Sequence, residues 1–299
     1  NRGSPEIDIR GFWRLALASV VILAPLNWSW YAWARAIPGA LTLYVVLGSL
    51  AYLALLRWLT GVRYADLSRD ARFVIWSATL LLIPFLAFGR SGTYHRVFEQ
   101  FVPRDARTPL FAFLYFAASS VILRFAVPYL LVRFKLREAP RDFGYVVRGG
   151  TRWRWAYFGL FVAMVPIILW ASTRPDFQSS YPQARGIVAG NEVSLELFIA
   201  YHAAYFAMFL SGESFWRGYM TFGLGRDLDV LALPWMVMLY SIGHYGKPLL
   251  EVNAAIIAGF VLGYLALRHR SFFLGALLHW SIALTMDLAV LWQRGVVWQ

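Results

Sequence analysis

The chain is dominated by long apolar runs separated by short segments rich in Lys and Arg. Runs of roughly 17 to 22 residues have the length that an α-helix needs to cross about 30 Å of hydrocarbon. With 60% hydrophobic and 15% charged residues, the composition is far more apolar than that of a soluble domain. The runs also lack the alternation of a transmembrane β-barrel. We therefore predict an all-α fold, a polytopic transmembrane bundle of about eight or nine helices.

The apolar runs and the charges between them predict nine spans. These spans cover residues 12–34, 39–56, 73–88, 109–132, 155–172, 193–218, 230–245, 251–267 and 272–292. No recognisable motif occurs in residues 1–190, which we expect to be transmembrane helices only. Residues 191–299 form the predicted core that carries the candidate site.

The distribution of basic residues predicts the orientation of the chain. The segment Arg133–Arg154 holds seven Lys and Arg residues against two acids, and such segments lie on the cytoplasmic side. Alternation from there places the N-terminus in the cytoplasm, in what we expect to be a bacterial inner membrane. The stretch Gly89–Arg107 is the exception, because it carries four Arg residues yet is predicted to be external. Either an early span is wrong or this stretch is an interfacial amphipathic helix. We interpret the net charge of +12 as a topology signal, and predict no nucleic-acid partner.

Several ionisable residues lie within or at the ends of the later spans. Each costs roughly 2.5 to 3.5 kcal/mol at the centre of a membrane helix, so its retention needs a reason. These residues are Glu196, His202, Glu213, Arg217, His244, Glu251, His279 and Asp287. By contrast, the first four spans contain little that is ionisable apart from Arg124.

Glu213 and Arg217 are four residues apart and therefore share a helix face, where they can form an ion pair. The pair could be structural, or Arg217 could position a carboxylate that accepts a proton from water. His244 precedes a helix break, and His279 lies in the last span. A carboxylate and two histidines supply what a hydrolytic site needs, namely a base for water and donors for an oxyanion. The same residues could ligate zinc, but no compact metal-binding motif is present, so we predict no metal or other cofactor.

The order of these residues resembles the CAAX-processing and bacteriocin-processing membrane proteases, also called the CPBP or ABI family of intramembrane glutamic endopeptidases. The first family motif, E-E-x-x-x-R-G, is matched in "GESFWRG" by Glu213, Arg217 and Gly218. The second, F-x-x-x-H, is matched as Y-x-x-x-H by Tyr240 and His244. The resemblance covers roughly residues 195–291, with the third motif at His279.

Two positions depart from the family pattern. Gly212 stands where the family has its first Glu, the residue usually regarded as activating water. Ala283 stands where an Asn commonly helps to hold the oxyanion. The extension "HYGKPLLE" resembles a subgroup with a single Glu in the first motif, so Glu251 could supply a second carboxylate. Glu251 could equally be a helix N-terminal residue that complements the helix dipole.

The resemblance implies hydrolysis of a peptide bond in or at the edge of the membrane, without a covalent intermediate. Glu213, alone or with His244, would deprotonate water, and His279 with the Trp280 indole would stabilise the oxyanion. The implied partners are membrane lipid and a hydrophobic or lipidated protein or peptide substrate. Two alternatives stay open: a catalytically inactive relative acting as an immunity or scaffold protein, and a proton-coupled transporter.

Overall fold

The computed structural model describes residues 9–37, 39–102, 105, 107–147 and 153–299. Over these residues the chain forms a bundle of helices with eight helical segments long and apolar enough to cross a membrane. The predicted all-α polytopic fold is confirmed. Arg104, Arg148 and Arg152, which contributed to the predicted orientation, lie outside the described residues.

The helices follow one another with short connections. They are α1 (Ile9–Ala32), α2 (Ala40–Thr60), α3 (Arg69–Phe88), α4 (Ser91–Val97), α5 (Thr108–Ser120), α6 (Val127–Leu130), α7 (Arg154–Ala171), α8 (Pro175–Gln178), α9 (Leu195–Glu213), α10 (Gly223–Leu228), α11 (Leu233–Gly243), α12 (Leu249–His269) and α13 (Phe273–Gln293). π-helical segments at Val121–Ala126 and Leu131–Lys135 flank α6, and a third at Ser214–Phe222 joins α9 to α10. Short 3₁₀ turns lie at Ala34–Ala36, Tyr64–Asp66, Glu99–Phe101, Pro140–Phe143, Arg185–Ile187 and Asp229–Ala232.

Three two-residue strands lie near one end of the bundle: β1 (Val188–Ala189), β2 (Glu192–Val193) and β3 (Val297–Trp298). Strand β2 pairs antiparallel with β1 and parallel with β3. The backbone N–H of Leu195 donates to the carbonyl of Gln299 at 3.0 Å. These bonds attach the C-terminal residues to the start of α9.

The predicted spans 193–218 and 230–245 occur within one helical stretch, Leu195–Gly243. The stretch is interrupted at Asp229, whose φ of 47° is incompatible with a regular helix. Pro234 then lies in the first turn of α11, where its missing N–H removes no helical hydrogen bond. The nine predicted spans therefore correspond to eight helical segments, because two of the predicted spans lie within the single stretch Leu195–Gly243.

Helix α11 is the centre of the bundle. Its residues Leu233–Ile242 are all buried, which is typical of a helix enclosed on every side. Glycines allow close approach to it: a Cβ on Gly259 or Gly263 of α12 would lie 3.0 or 2.8 Å from α11 side chains. Gly48 of α2 packs against Leu239 and Ile242 in the same way. The segment Gly259–Gly263, with the sequence "GFVLG", therefore packs against another helix of the same chain.

The first three helices pack against the motif-bearing helices through polar contacts as well. Tyr52 donates to the carbonyl of Leu231 at 2.8 Å, and the Trp235 indole donates to Ser49 at 3.1 Å. Because lipid offers no alternative partner to these groups, such bonds between helices help to fix their register. The division at residues 190 and 191 stays a prediction about motifs.

Segments predicted to share the cytoplasmic side are joined at one end of the bundle. The contacts are Ser68 N to Asp227 Oδ2, Arg226 to Glu138, and Arg270 Nη2 to the carbonyl of Asp142. The stretch Gly89–Arg107 contains α4 and a 3₁₀ turn, and Arg90 points into the protein. The side of the membrane on which each end lies remains a prediction.

Cysteine labelling can test this orientation because the sequence contains no Cys. We expect Asp176→Cys to react with a membrane-impermeant maleimide on intact cells. Asp66→Cys should react only after the membrane is permeabilised, since its loop is predicted to be cytoplasmic. Both positions are exposed in the structure, so access through the protein does not limit the reaction. The unsubstituted protein is the blank, and the reverse pattern would contradict the prediction.

Candidate active site

Glu213 and Arg217 form a buried ion pair at the junction of α9 and the π-helical segment Ser214–Phe222. The Arg217 Nη1 donates to Glu213 Oε1 at 2.7 Å, and both side chains are almost completely inaccessible. π-helical turns widen a helix locally and occur often at functional sites. The pair predicted from the i, i+4 spacing is therefore formed here.

The two oxygens of Glu213 have different surroundings. Oε1 accepts from Arg217 and lies 3.1 Å from His279 Nδ1. Oε2 is buried and has no hydrogen-bond partner among the described residues. It faces Gly275 of α13, where an added Cβ would lie 3.1 Å from it. A buried carboxylate oxygen without a partner is unusual, because desolvation makes it costly.

Arg217 makes contacts with two further helices. Its guanidinium lies 4.2 Å from the centre of the Tyr240 ring on α11. Its Nη2 is 3.5 Å from the carbonyl of Ala258 on α12, and its Nε has no partner among the described residues. The cation is therefore held mainly by Glu213 and by the face of an aromatic ring.

His244 directly follows α11 and has a defined hydrogen-bonding state. Its Nδ1 lies 2.7 Å from the carbonyl of Tyr240. A carbonyl only accepts, so Nδ1 carries the hydrogen and Nε2 of the neutral ring is an acceptor. Burial lowers the pKa of His244 to about 3, so the ring is neutral at pH 7.

The two histidines face each other across the site. The rings of His244 and His279 are parallel within 5° with centroids 6.5 Å apart, and Tyr240 packs 4.3 Å from His244. His279 is also within 4.3 Å of Phe209. Glu213, Arg217, Tyr240, His244 and His279, drawn from α9 to α13, are thus brought together by the fold.

Arg90 holds the turn that carries His244, although no motif in the sequence marks it as a site residue. Its Nη1 donates to the carbonyl of Tyr245 at 2.7 Å and its Nη2 to that of Gly243 at 3.0 Å. Burial lowers the pKa of Arg90 to about 10, which leaves it charged at pH 7. The only indication of this role in the sequence was that Arg90 belongs to an Arg-rich stretch predicted to be external.

Gly212, the position at which the family's first Glu is missing, is covered by Arg124. A Cβ on Gly212 would lie 3.2 Å from Arg124 Nη1. Arg124 is buried, donates to Ser120 Oγ and lies 4.2 Å from the centre of the Phe85 ring. It forms no ion pair among the described residues. A cation therefore takes the place beside Glu213 where the family pattern has a carboxylate.

The structure turns Trp280 away from the site and leaves no donor at Ala283, whereas Tyr240 lies in the site. The Trp280 indole N–H, considered as an oxyanion donor, instead donates to the carbonyl of His202 at 3.1 Å. An indole has one hydrogen to donate, so this bond takes it away from the site. Ala283 is buried in an apolar cluster and offers no donor. Tyr240 packs in the site, as described above.

Glu251 lies in the first turn of α12, where a carboxylate complements the helix dipole. Its Oε2 accepts from Tyr181, and its Oε1 is 3.2 Å from Lys247 Nζ. No hydrogen bond joins Glu251 to Glu213 or to either histidine of the site among the described residues. The structure thus supports the reading of Glu251 as a helix N-terminal residue.

A second polar cluster occupies another level of the α9–α13 interface. His202 Nε2 lies 3.3 Å from Asp287 Oδ2, and Tyr201 donates to the same oxygen at 2.8 Å. His202 precedes Glu213 by three helical turns, so this cluster is separate from the Glu213 site. Among the described residues, no group of three His, Cys, Asp or Glu side chains is arranged to hold a metal ion.

The arrangement defines a helical membrane protein with a buried Glu–Arg pair and two histidines. Residues 194–285 match the family model described as type II CAAX prenyl endopeptidase Rce1-like. The match includes Glu213, Arg217, His244 and His279, and it confirms the resemblance inferred from the motifs. This part of the chain is therefore similar to the CAAX protease-like family. No curated protein and no solved structure gives a significant match.

The role of Arg90 can be tested by hydrogen exchange. Arg90→Ala leaves the carbonyls of Gly243 and Tyr245 without their charged donor. Each such bond contributes about 1.5 to 3 kcal/mol. We expect the amides of residues 244–247 to exchange at least roughly ten-fold faster. Exchange measured by mass spectrometry on purified protein would show this.

Arg96→Ala is the matched control, since Arg96 is exposed and bonds only to Thr93 of its own helix at 3.2 Å. Equal exchange at residues 244–247 in Arg90→Ala and Arg96→Ala would show that Arg90 does not hold this turn.

Proposed function

We propose that this protein is an intramembrane peptidase of the glutamic type. It would hydrolyse a membrane-anchored or lipidated protein or peptide with water activated by Glu213 and the two histidines. The CAAX protease-like family supports a hydrolase of this general kind. The observation that carries the proposal is the buried Glu213 Oε2, which has no hydrogen-bond partner among the described residues while Oε1 of the same carboxylate lies 3.1 Å from His279.

The site offers two acceptors for one water molecule. Among the described residues Glu213 Oε2 has no hydrogen-bond partner, and His244 Nε2 presents a lone pair because Nδ1–H is bonded to the Tyr240 carbonyl. A water that donates to both has its own lone pair directed away from them, toward a substrate carbonyl. Glu213 Oε2 would accept the proton as the water oxygen attacks the carbonyl carbon. His244 would orient the water.

The developing oxyanion needs a donor, and His279 can supply it. With Nδ1–H bonded to Glu213 Oε1, a doubly protonated His279 has Nε2–H free to donate. His279 Nδ1 lies 3.1 Å from Glu213 Oε1, which is close enough for an ion pair in that form. On collapse of the tetrahedral intermediate, the proton on Glu213 would pass to the leaving amine. Arg217 keeps Glu213 in place throughout.

The substrate class follows from where the site lies. All its residues lie in or directly after helices that belong to the membrane-spanning segments, and the His279 side chain is 22% exposed. This location supports a substrate that would reach the site from the membrane, as a hydrophobic or lipidated segment would. We expect such proteins in the same membrane, inferred above to be a bacterial inner membrane.

One observation favours an alternative. Arg124 covers Gly212, so the carboxylate that usually activates water in this family has no counterpart there. An inactive relative acting as an immunity or scaffold protein would retain the Glu213–Arg217 pair for packing alone. The two functions differ in whether peptide cleavage occurs, which the following experiment measures.

Purified protein in detergent should cleave members of a peptide library with lipidated and hydrophobic tails. We expect Glu213→Gln, His244→Ala and His279→Ala each to lower the rate by about 100- to 10,000-fold, the usual contribution of general acid–base groups. His95→Ala is the control, because His95 lies on α4, exposed and paired with Glu99.

Absence of cleavage by the unsubstituted protein, or cleavage that Glu213→Gln and His279→Ala leave unchanged, would contradict the proposal. Loss of activity on addition of a chelator would instead indicate metal chemistry. Thermal melting of each variant separates loss of chemistry from loss of fold.

Gly275→Ala tests whether the space at Glu213 Oε2 is needed. The new methyl group would lie 3.1 Å from this oxygen and compete with the attacking water. We expect cleavage to fall by roughly 100-fold, as a displacement of about 1 Å at a reacting group can cause. Gly159→Ala in α7 is the matched control, because nothing lies within 4 Å of its added Cβ. Equal activity of the two variants would show that no water acts at this oxygen.

A further inference from the structure

A pocket of about 480 Å³ opens at the end of the bundle where α3 begins and the segment Thr108–Lys135 ends. It lies away from the Glu213 site. Its wall combines basic and aromatic side chains, among them Arg69, Lys135, Arg137, Phe73 and Phe134, with Asp70 as its one acid.

The cations of this pocket have no ionic partners. Among the described residues, Arg69, Lys135 and Arg137 form no ion pair and no hydrogen bond through their side chains, and neither does Asp70. Lys135 Nζ lies 5.7 Å from the centre of the Phe73 ring. Elsewhere at this end of the bundle, Arg63 and Arg226 are paired with carboxylates. The pocket therefore carries an excess of positive charge available to an anion.

The cations and the aromatic rings of the pocket lie at the ends of two spans, where a membrane protein meets the lipid headgroups. Arg69 is the first residue of α3, and Lys135 is the last residue of the neighbouring span. Phe134 is 69% exposed beside them, in the last turn of the same span. Cations at the end of a span lie at the headgroup level, while an adjacent exposed aromatic ring lies against acyl chains or glycerol.

We propose that this pocket binds the phosphate headgroup of an anionic phospholipid. Arg69, Lys135 and Arg137 contact the phosphate, and the glycerol and upper acyl chain lie along Phe134 and Phe73. Free phosphate would satisfy the cations only, and the apolar wall is what favours the lipid. This inference is independent of the proposed peptidase activity.

Lipid binding can be measured on the full chain in an uncharged detergent. The probes are phosphatidylglycerol, phosphatidylcholine with the same acyl chains, and glycerol phosphate, each followed by thermal stabilisation and native mass spectrometry. We expect phosphatidylglycerol to bind and stabilise the protein, and the other two to do so weakly or not at all. Equal stabilisation by glycerol phosphate would overturn the lipid assignment, as would equal binding of phosphatidylcholine.

A charge-matched pair of variants locates the site. Arg69→Ala/Lys135→Ala/Arg137→Ala removes the three pocket cations, and Arg57→Ala/Arg141→Ala/Arg268→Ala removes three exposed cations outside the pocket. The first should weaken phosphatidylglycerol binding on the order of 100-fold, and the second by less than about five-fold. Equal losses would show non-specific attraction to charge and overturn the proposal.

Photo-crosslinking gives a result that does not depend on the variants folding. A photoactivatable phosphatidylglycerol added to the unsubstituted protein should label the peptide that contains residues 131–137. Labelling confined to other peptides would overturn the assignment of this pocket.

Discussion

The buried ion pair between Glu213 and Arg217 is the interaction on which the arrangement of the core depends. Neither charge could remain alone in an apolar bundle, because removing one partner of a buried pair typically costs about 3 to 5 kcal/mol. In the part of the chain that the structure describes, they still leave one carboxylate oxygen and one guanidinium nitrogen without hydrogen-bond partners. Helices α11, α12 and α13 each contribute a group that compensates the pair: the Tyr240 ring, the Ala258 carbonyl and His279. Satisfying one pair therefore brings four helical segments together.

Arginine has four different roles in this protein. At the ends of spans, its distribution is the basis of the predicted orientation. Arg217 compensates a carboxylate, whereas Arg90 serves two backbone carbonyls and Arg124 fills the space over a glycine. The planar guanidinium, with five donors in a fixed fork, can meet such different acceptors where lysine could not.

The sequence predicted features that depend on residues close together in the chain, and it predicted contacts between distant residues less well. The spans followed from local apolar runs, and the Glu213–Arg217 contact followed from helical spacing within one segment. The contacts of Glu213 with His279 and of Arg90 with the turn after α11 join residues far apart in sequence. No local pattern predicts these contacts. The family resemblance suggested that Glu213 and His279 share a site, and the only sign of the Arg90 contact was the excess of Arg in a stretch predicted to be external. The indole N–H of Trp280 was expected to donate to the oxyanion, but it donates to the backbone carbonyl of His202. A sequence does not show which backbone carbonyl a side chain will bind.

Helices α9 and α13 are connected at two levels, by Glu213 with His279 and by His202 with Asp287. The Trp280 indole adds a third connection beside His202. Spreading these two helices apart would leave several charged or polar groups facing hydrocarbon at once, and each of them is costly there. The interface between α9 and α13 is therefore costly to open. We expect a molecule that reaches Glu213 from the membrane to pass between other helices.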